Sequence, residues 1–191
     1  MGKQTLDNTA ALRHAGLCAA FMWQDEAAEG RLDGSVEVDY ATIIGTLPEK
    51  ANGSSVYIVH VDGTATSEFG YSYPVERDLK ISLQENGEPL AAPATDEEIA
   101  QAVQHMRDLA CKEYAGLMQL ISAGAYDERD HEGNYGEDGI EKRIDELEEA
   151  ALCEGLHFAA RGDTYILEAA TQEELDAYAQ AKAEAEDEDD E

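Results

Sequence analysis

A chain of 191 residues that carries 43 Asp and Glu against 13 Lys and Arg, a formal net charge of -30, must fold with nearly all of its carboxylates kept in water. A small domain needs a net charge of only about 2–8 to stay soluble. An excess this large makes any compact state repel itself. Three circumstances favour it: a strongly basic partner, very salty surroundings, or an acidic tail. The apolar share is 43%, with nine Tyr, which is enough to build a core and excludes wholesale disorder. The charge is uneven. Residues 1–124 hold 19 acids and 8 bases, a net -11; residues 125–191 hold 24 acids and 5 bases, a net -19.

The hydrophobic pattern predicts an α+β chain with a mostly antiparallel sheet and helices packed on it. Thr5, Asp7 or Asn8 caps a first helix that ends near Ala28, with Leu12, Ala15, Ala19 and Met22 at helical spacing. Val36, Val38 and Tyr40 alternate with polar residues as in a strand, and Ser55 to Val61 reads as a second strand closed by Asp62-Gly63. Glu68 to Tyr73 and Leu79 to Gln84 read as two extended segments separated by Pro74, which marks an edge or a bend. Asn86-Gly87 signals a turn. Thr95 to Glu98 has the capping-box pattern and opens a helix of about 25 residues that ends near Gly124. Residues 125–139 read as an acidic loop, 139–153 as a helix, Leu156 to Leu167 as a hairpin around Arg161-Gly162-Asp163, and Thr171 to Glu174 as a second capping box. One domain over 1–183 is expected. In 184–191 seven of eight residues are acidic, so a disordered tail is expected there.

Cys18, Cys111 and Cys153 are widely spaced and odd in number, so neither a disulfide framework nor a zinc motif is indicated; buried thiols in a reducing compartment are expected. No apolar run reaches the length of a membrane span, and a cytoplasmic location is expected. The acidity argues against direct binding to nucleic acid or to an anionic membrane.

Little points to catalysis. The five His stand at no metal-ligand spacing with another His or Cys. No phosphate-binding glycine pattern occurs. With 43 carboxylates, two that could pair for acid–base work have no specificity. Asp130, Glu132, Asn134, Asp138 and Glu141 fall at oxygen-ligand positions of a helix–loop–helix calcium site, but Tyr135 stands where the sharp turn demands Gly. No cofactor, metal or catalytic residue is therefore assigned.

The informative constellation is a row of carboxylates on the helix at 139–153: Glu141, Asp145, Glu148 and Glu149, extended backwards by Asp138, with Glu137 at the end of the loop run before it. Carboxylates at i,i+4 lie about 6 Å apart along one helix face. Phosphates follow one another along a DNA strand at a comparable few ångströms. Asp127, Glu128, Asp130 and Glu132 add a second acidic run beside the helix. An exposed helix with a solvated acidic face would carry the same pattern.

In its overall acidity, and in the stretches DERDHEGNYGEDG and DELEE, the chain resembles phage and mobile-element inhibitors that imitate DNA, the anti-restriction and anti-CRISPR proteins. The resemblance implies an inhibitor, not an enzyme, whose acidic surface blocks the basic groove of a nucleic-acid-binding effector. Two other readings account for the charge. One is an immunity protein or chaperone for a basic partner, without mimicry. The other is an ordinary domain from a salt-loving organism, which fits the six Lys but not the crowding of acids after residue 125.

Overall fold

The computed structural model describes residues 6–48, 56–84, 87–124, 137–162 and 164–188; of Glu137, Asp138 and 184–188 it describes the backbone alone. The order is α1 (Asn8–Ala28), β1 (Ser35–Leu47), β2 (Val56–Thr66), β3 (Ser72–Leu83), β4 (Pro89–Pro93), α2 (Asp96–Ser122), α3 (Glu137–Cys153), β5 (Leu156–Arg161), β6 (Thr164–Ala169) and α4 (Gln172–Glu188). Strands β1 to β4 form an antiparallel meander in chain order, and β5 pairs with β6. The fold is α+β, as the pattern predicts. Where one domain over 1–183 is expected, the chain divides into two compact units, Met1–Met106 and Arg107–Glu191.

In the first unit, Asp7 caps α1 by accepting a 2.7 Å hydrogen bond from the Ala10 amide. Ala11, Ala15, Ala19 and Trp23 recur every four residues and are buried. Three methyl groups let the helix lie close to the sheet, and Trp23 fills the remaining space. The sheet meets it with Tyr57, Val59 and Val61 of β2 and Leu79 and Ile81 of β3. Truncating Trp23 to Ala would cost about 3–5 kcal/mol. Arg77 of β3 grips Glu26 of α1 through two hydrogen bonds, 2.7 and 2.8 Å, with its guanidinium 6.0 Å from the centre of the Trp23 ring.

Gly63 corrects one expectation. Asp62-Gly63 does not close β2; the strand runs through it to Thr66. A Cβ at Gly63 would lie 2.6 Å from the Glu37 carbonyl oxygen and 3.0 Å from the Trp23 ring, so glycine here serves close packing inside a strand. Residues 68–71, expected to be extended, form the turn between β2 and β3, and Pro74 does not separate two segments: one strand, β3, runs through it from Ser72. Its partner β4 reaches only from Leu79 to Leu83, so at Pro74 the strand is an edge and a missing amide is tolerated. β1 continues to Leu47 past register shifts at Val38/Tyr40 and Ile43/Gly45.

Period two sets Val56, Ile58, His60 and Asp62 on the other face of β2. The first turns of α2 cover part of that face. Ala102 is fully buried, and a Cβ on Gly45 of β1 would fall 2.8 Å from its carbonyl carbon. Burial decreases along β2 from Val56 and Ile58 to the half-buried His60, Asp62 and Thr64.

The second unit is built on Tyr114 and Leu117 of α2 and Ile140, Ile144 and Leu147 of α3, with Phe158 of β5 and Tyr165 of β6 packed against them. Tyr114 stacks on Phe158 with ring centroids 4.2 Å apart and meets Tyr165 edge-on at 4.8 Å. The three thiols are unpaired, but Cys153 is exposed in the last turn of α3, against the expectation of burial. Helix α4 continues to Glu188, five residues into the expected tail; residues 189–191 lie outside the described residues. No helix among the described residues is long and apolar enough to cross a membrane.

Candidate functional site

Helix α3 presents three distinct strips. Ile140, Ile144, Leu147 and Ala151 are buried. At about 100° per residue, Glu141, Asp145, Glu148 and Glu149 fall on one flank and Arg143 and Glu146 on the other. Lys142 faces away from the core between them. The flank with Arg143 is largely neutralised: its guanidinium binds Glu113 at 2.7 and 3.2 Å and Glu146 at 3.0 Å. Those contacts hold Arg143 above its ordinary pKa and Glu113 below the usual carboxylate range.

On the other flank no ion pair neutralises a carboxylate among the described residues, although Lys142 borders it beside Glu149. All four of its carboxylates are exposed. Glu141 and Asp145 make no hydrogen bond or ion pair with the described residues. Glu148 accepts a 2.5 Å hydrogen bond from the Tyr114 hydroxyl, and Glu149 a 3.5 Å one from Tyr178. Burial, and then Glu148 itself, push the Tyr114 phenol well above its ordinary pKa, so it stays a donor. Tyr178 is pushed up to about 12, by Cys153 first. Two carboxylates of the row are thus held in place by tyrosines and two are free to move.

Beside Glu148 lies an open cleft of about 410 Å³, lined by Glu148, Leu152, His157, Phe158, Glu174 and Tyr178. Both Glu174 oxygens lie 2.9 Å from Nδ1 of His157. The Thr171 amide, the Thr171 hydroxyl and then His157 hold Glu174 down to about 2. The cleft has an apolar floor and a carboxylate rim.

Of the other predicted site residues, Glu137 and Asp138 lie in the first turn of α3, with side chains outside the description, while Asp127, Glu128, Asp130 and Glu132 lie outside the described residues. The calcium-like spacing falls largely on the same stretch.

A second group of carboxylates was not singled out from sequence. On the face of the sheet away from α1, His60 and Asp62 of β2 stand opposite Asp78 and Glu76 of β3. His60 Nδ1 is 2.7 Å from Asp78 Oδ1, and its Nε2 is 3.3 Å from Asp62 Oδ1 and 3.9 Å from Glu76 Oε2. The hydrogen bond to Asp78 raises the His60 pKa, burial opposes it, and the charge of Asp62 adds to the rise. Asp62 also pushes up the neighbouring Tyr40 phenol. The available signal was the pair His-x-Asp on a strand, with Glu-x-Asp on the next.

No family model, no curated protein and no solved structure matches the chain.

Proposed function

We propose that the protein is a binding protein, not an enzyme, whose acidic surface takes the place of nucleic-acid phosphates in the basic groove of a nucleic-acid-binding effector, in the manner of an anti-CRISPR or anti-restriction inhibitor. The observation that carries this reading is the flank of α3: four exposed carboxylates on a helix fixed by its buried face, none of them in an ion pair among the described residues. Their spacing suits the Lys and Arg side chains that a groove offers to a phosphate backbone. The adjoining cleft adds a seat for one such side chain, because a Lys or Arg buries its stem on apolar surface while its head stays among carboxylates.

The test is capture of partners on the immobilised protein at about 100 mM salt, followed by competition with duplex DNA. The expected partner is a nucleic-acid-binding protein that salt releases and DNA displaces. A partner that binds the protein and DNA at once would overturn mimicry, and recovery of a basic toxin would favour the immunity reading.

A further inference from the structure

We propose that His60, Asp62 and Glu76 form a site for a first-row divalent cation of the zinc class, with Asp78 as the residue that orients the imidazole. The register of two neighbouring strands builds the site. Asp62 pairs with Glu76 and His60 with Asp78, so four side chains form a block on one face of the β2–β3 ladder. Directly opposed residues hold their Cβ atoms about 4.5–5.5 Å apart, a separation that short side chains bridge.

The imidazole is arranged as a ligand. With Nδ1–H donating to Asp78, the lone pair of Nε2 turns towards Asp62 and Glu76. A carboxylate behind a histidine is the usual means by which a metal site fixes tautomer and ring orientation. One donor atom from each of His60, Asp62 and Glu76 lies within 4.8 Å of the other two. A tetrahedral ion with bonds of about 2.0–2.2 Å sets its ligands about 3.3–3.5 Å apart. The 3.3 Å between Nε2 and Asp62 Oδ1 already meets that spacing. Glu76 stands at 3.9 Å on a side chain 78% exposed, which leaves it free to close the remaining gap.

A separate observation concerns what the block lacks. Asp62 Oδ2 is buried and accepts no hydrogen bond of good geometry, although the Tyr40 hydroxyl of β1 lies close enough to act on the Asp62 carboxylate. A proton on Nε2 would serve Asp62 Oδ1 and leave Oδ2 unsatisfied, whereas a divalent ion acts on the whole carboxylate. The nearby cations are committed elsewhere, Lys80 to Glu98 and Arg77 to Glu26. Three carboxylates therefore face one imidazole. One nitrogen and two oxygens favour a borderline ion such as Zn²⁺ over Ca²⁺ or Mg²⁺, which take oxygen alone.

The experiment is a titration of the full-length, tag-free protein at pH 7.5 with Zn²⁺ by calorimetry and with Co²⁺ by absorption. Salt at about 0.5 M suppresses diffuse attraction to the acidic surface. One Zn²⁺ per chain is expected, bound at micromolar concentration or tighter. His60→Gln and Glu76→Gln should each weaken it at least tenfold, Asp78→Asn about 10–100-fold, and the surface control Glu173→Gln less than twofold. Co²⁺ should broaden the ring resonances of His60 in the unaltered protein, a readout that does not depend on how any variant folds. Weak binding at many sites, equal affinity in His60→Gln, or unaffected His60 resonances would each overturn the site.

Discussion

The two groups of carboxylates, on the sheet and on α3, carry like charges in opposite geometries. Around His60 the acids converge: cross-strand pairing points Asp62, Glu76 and Asp78 at one imidazole, and all but the exposed Glu76 are half-buried. Along α3 the four acids Glu141, Asp145, Glu148 and Glu149 lie side by side, each exposed, and share no centre. Charges that converge on one half-buried imidazole select something small, a proton or a metal ion. A row in water has no interior to fill and attracts a surface of its own size. The sign and number of charges are thus poor guides to what an acidic region binds; the direction of its side chains decides.

The strongest way to break this distinction is to reverse three charges of the row. Glu141→Lys, Asp145→Lys and Glu148→Lys together should weaken partner binding at least a thousandfold, since three attractions become three repulsions. Zinc affinity should stay within twofold, and circular dichroism should show the fold retained but less stable, because Ile140, Ile144, Leu147 and Ala151 are untouched while the Tyr114 hydroxyl loses its Glu148 acceptor. Undiminished partner binding by this folded variant would place the interface elsewhere.

A smaller effect belongs to the converging group. The folded pKa of His60 lies above its ordinary value. Without added metal, its ion pairs should stabilise the protein fully below about pH 6.5, and that contribution should be lost as pH rises through the folded pKa. The difference in urea midpoint between the parent and His60→Gln, measured from pH 5 to 9, should therefore shrink with rising pH. A difference that is flat or grows would show that His60 is not held as an imidazolium.

The smallest effect sharpens the description of the row. Glu141→Gln alone should weaken partner binding by less than about fivefold, since one exposed ion pair contributes about 0.2–1 kcal/mol. A hundredfold loss, read by calorimetry, would mark Glu141 as a single anchor and not one member of a row.

What the sequence revealed was local. Both capping boxes form as read: Thr95 and Glu98 exchange hydrogen bonds at 3.1 and 3.2 Å, and Thr171 and Glu174 at 2.7 and 3.3 Å. The span of α2 and the β5–β6 hairpin also follow from short-range signals, and so does the α3 row, since i,i+4 spacing fixes a helix face. Features that depend on a partner strand were hidden. Two register shifts break the alternation of β1 after Val38, so its second half carries no period-two signal. Gly63 mimics a turn because the reason for it, Trp23, stands forty residues earlier. The His60 cluster exists only once Asp62 meets Glu76, and no spacing within one strand announces that register.

The separation of strips on α3 bears on how such a protein can change over generations. The residues that fasten the helix overlap the outward row only through Glu148 and Glu149, whose carboxylates meet tyrosines. Substitutions at exposed positions without structural contacts usually alter stability by no more than about 0.5 kcal/mol. Glu141 and Asp145 are such positions, whereas Glu148 and Glu149 are tied to tyrosines. If the surface opposite this helix drifts, two of its four carboxylates can be rewritten one at a time without endangering the fold. The row is then adjustable at one end and anchored at the other.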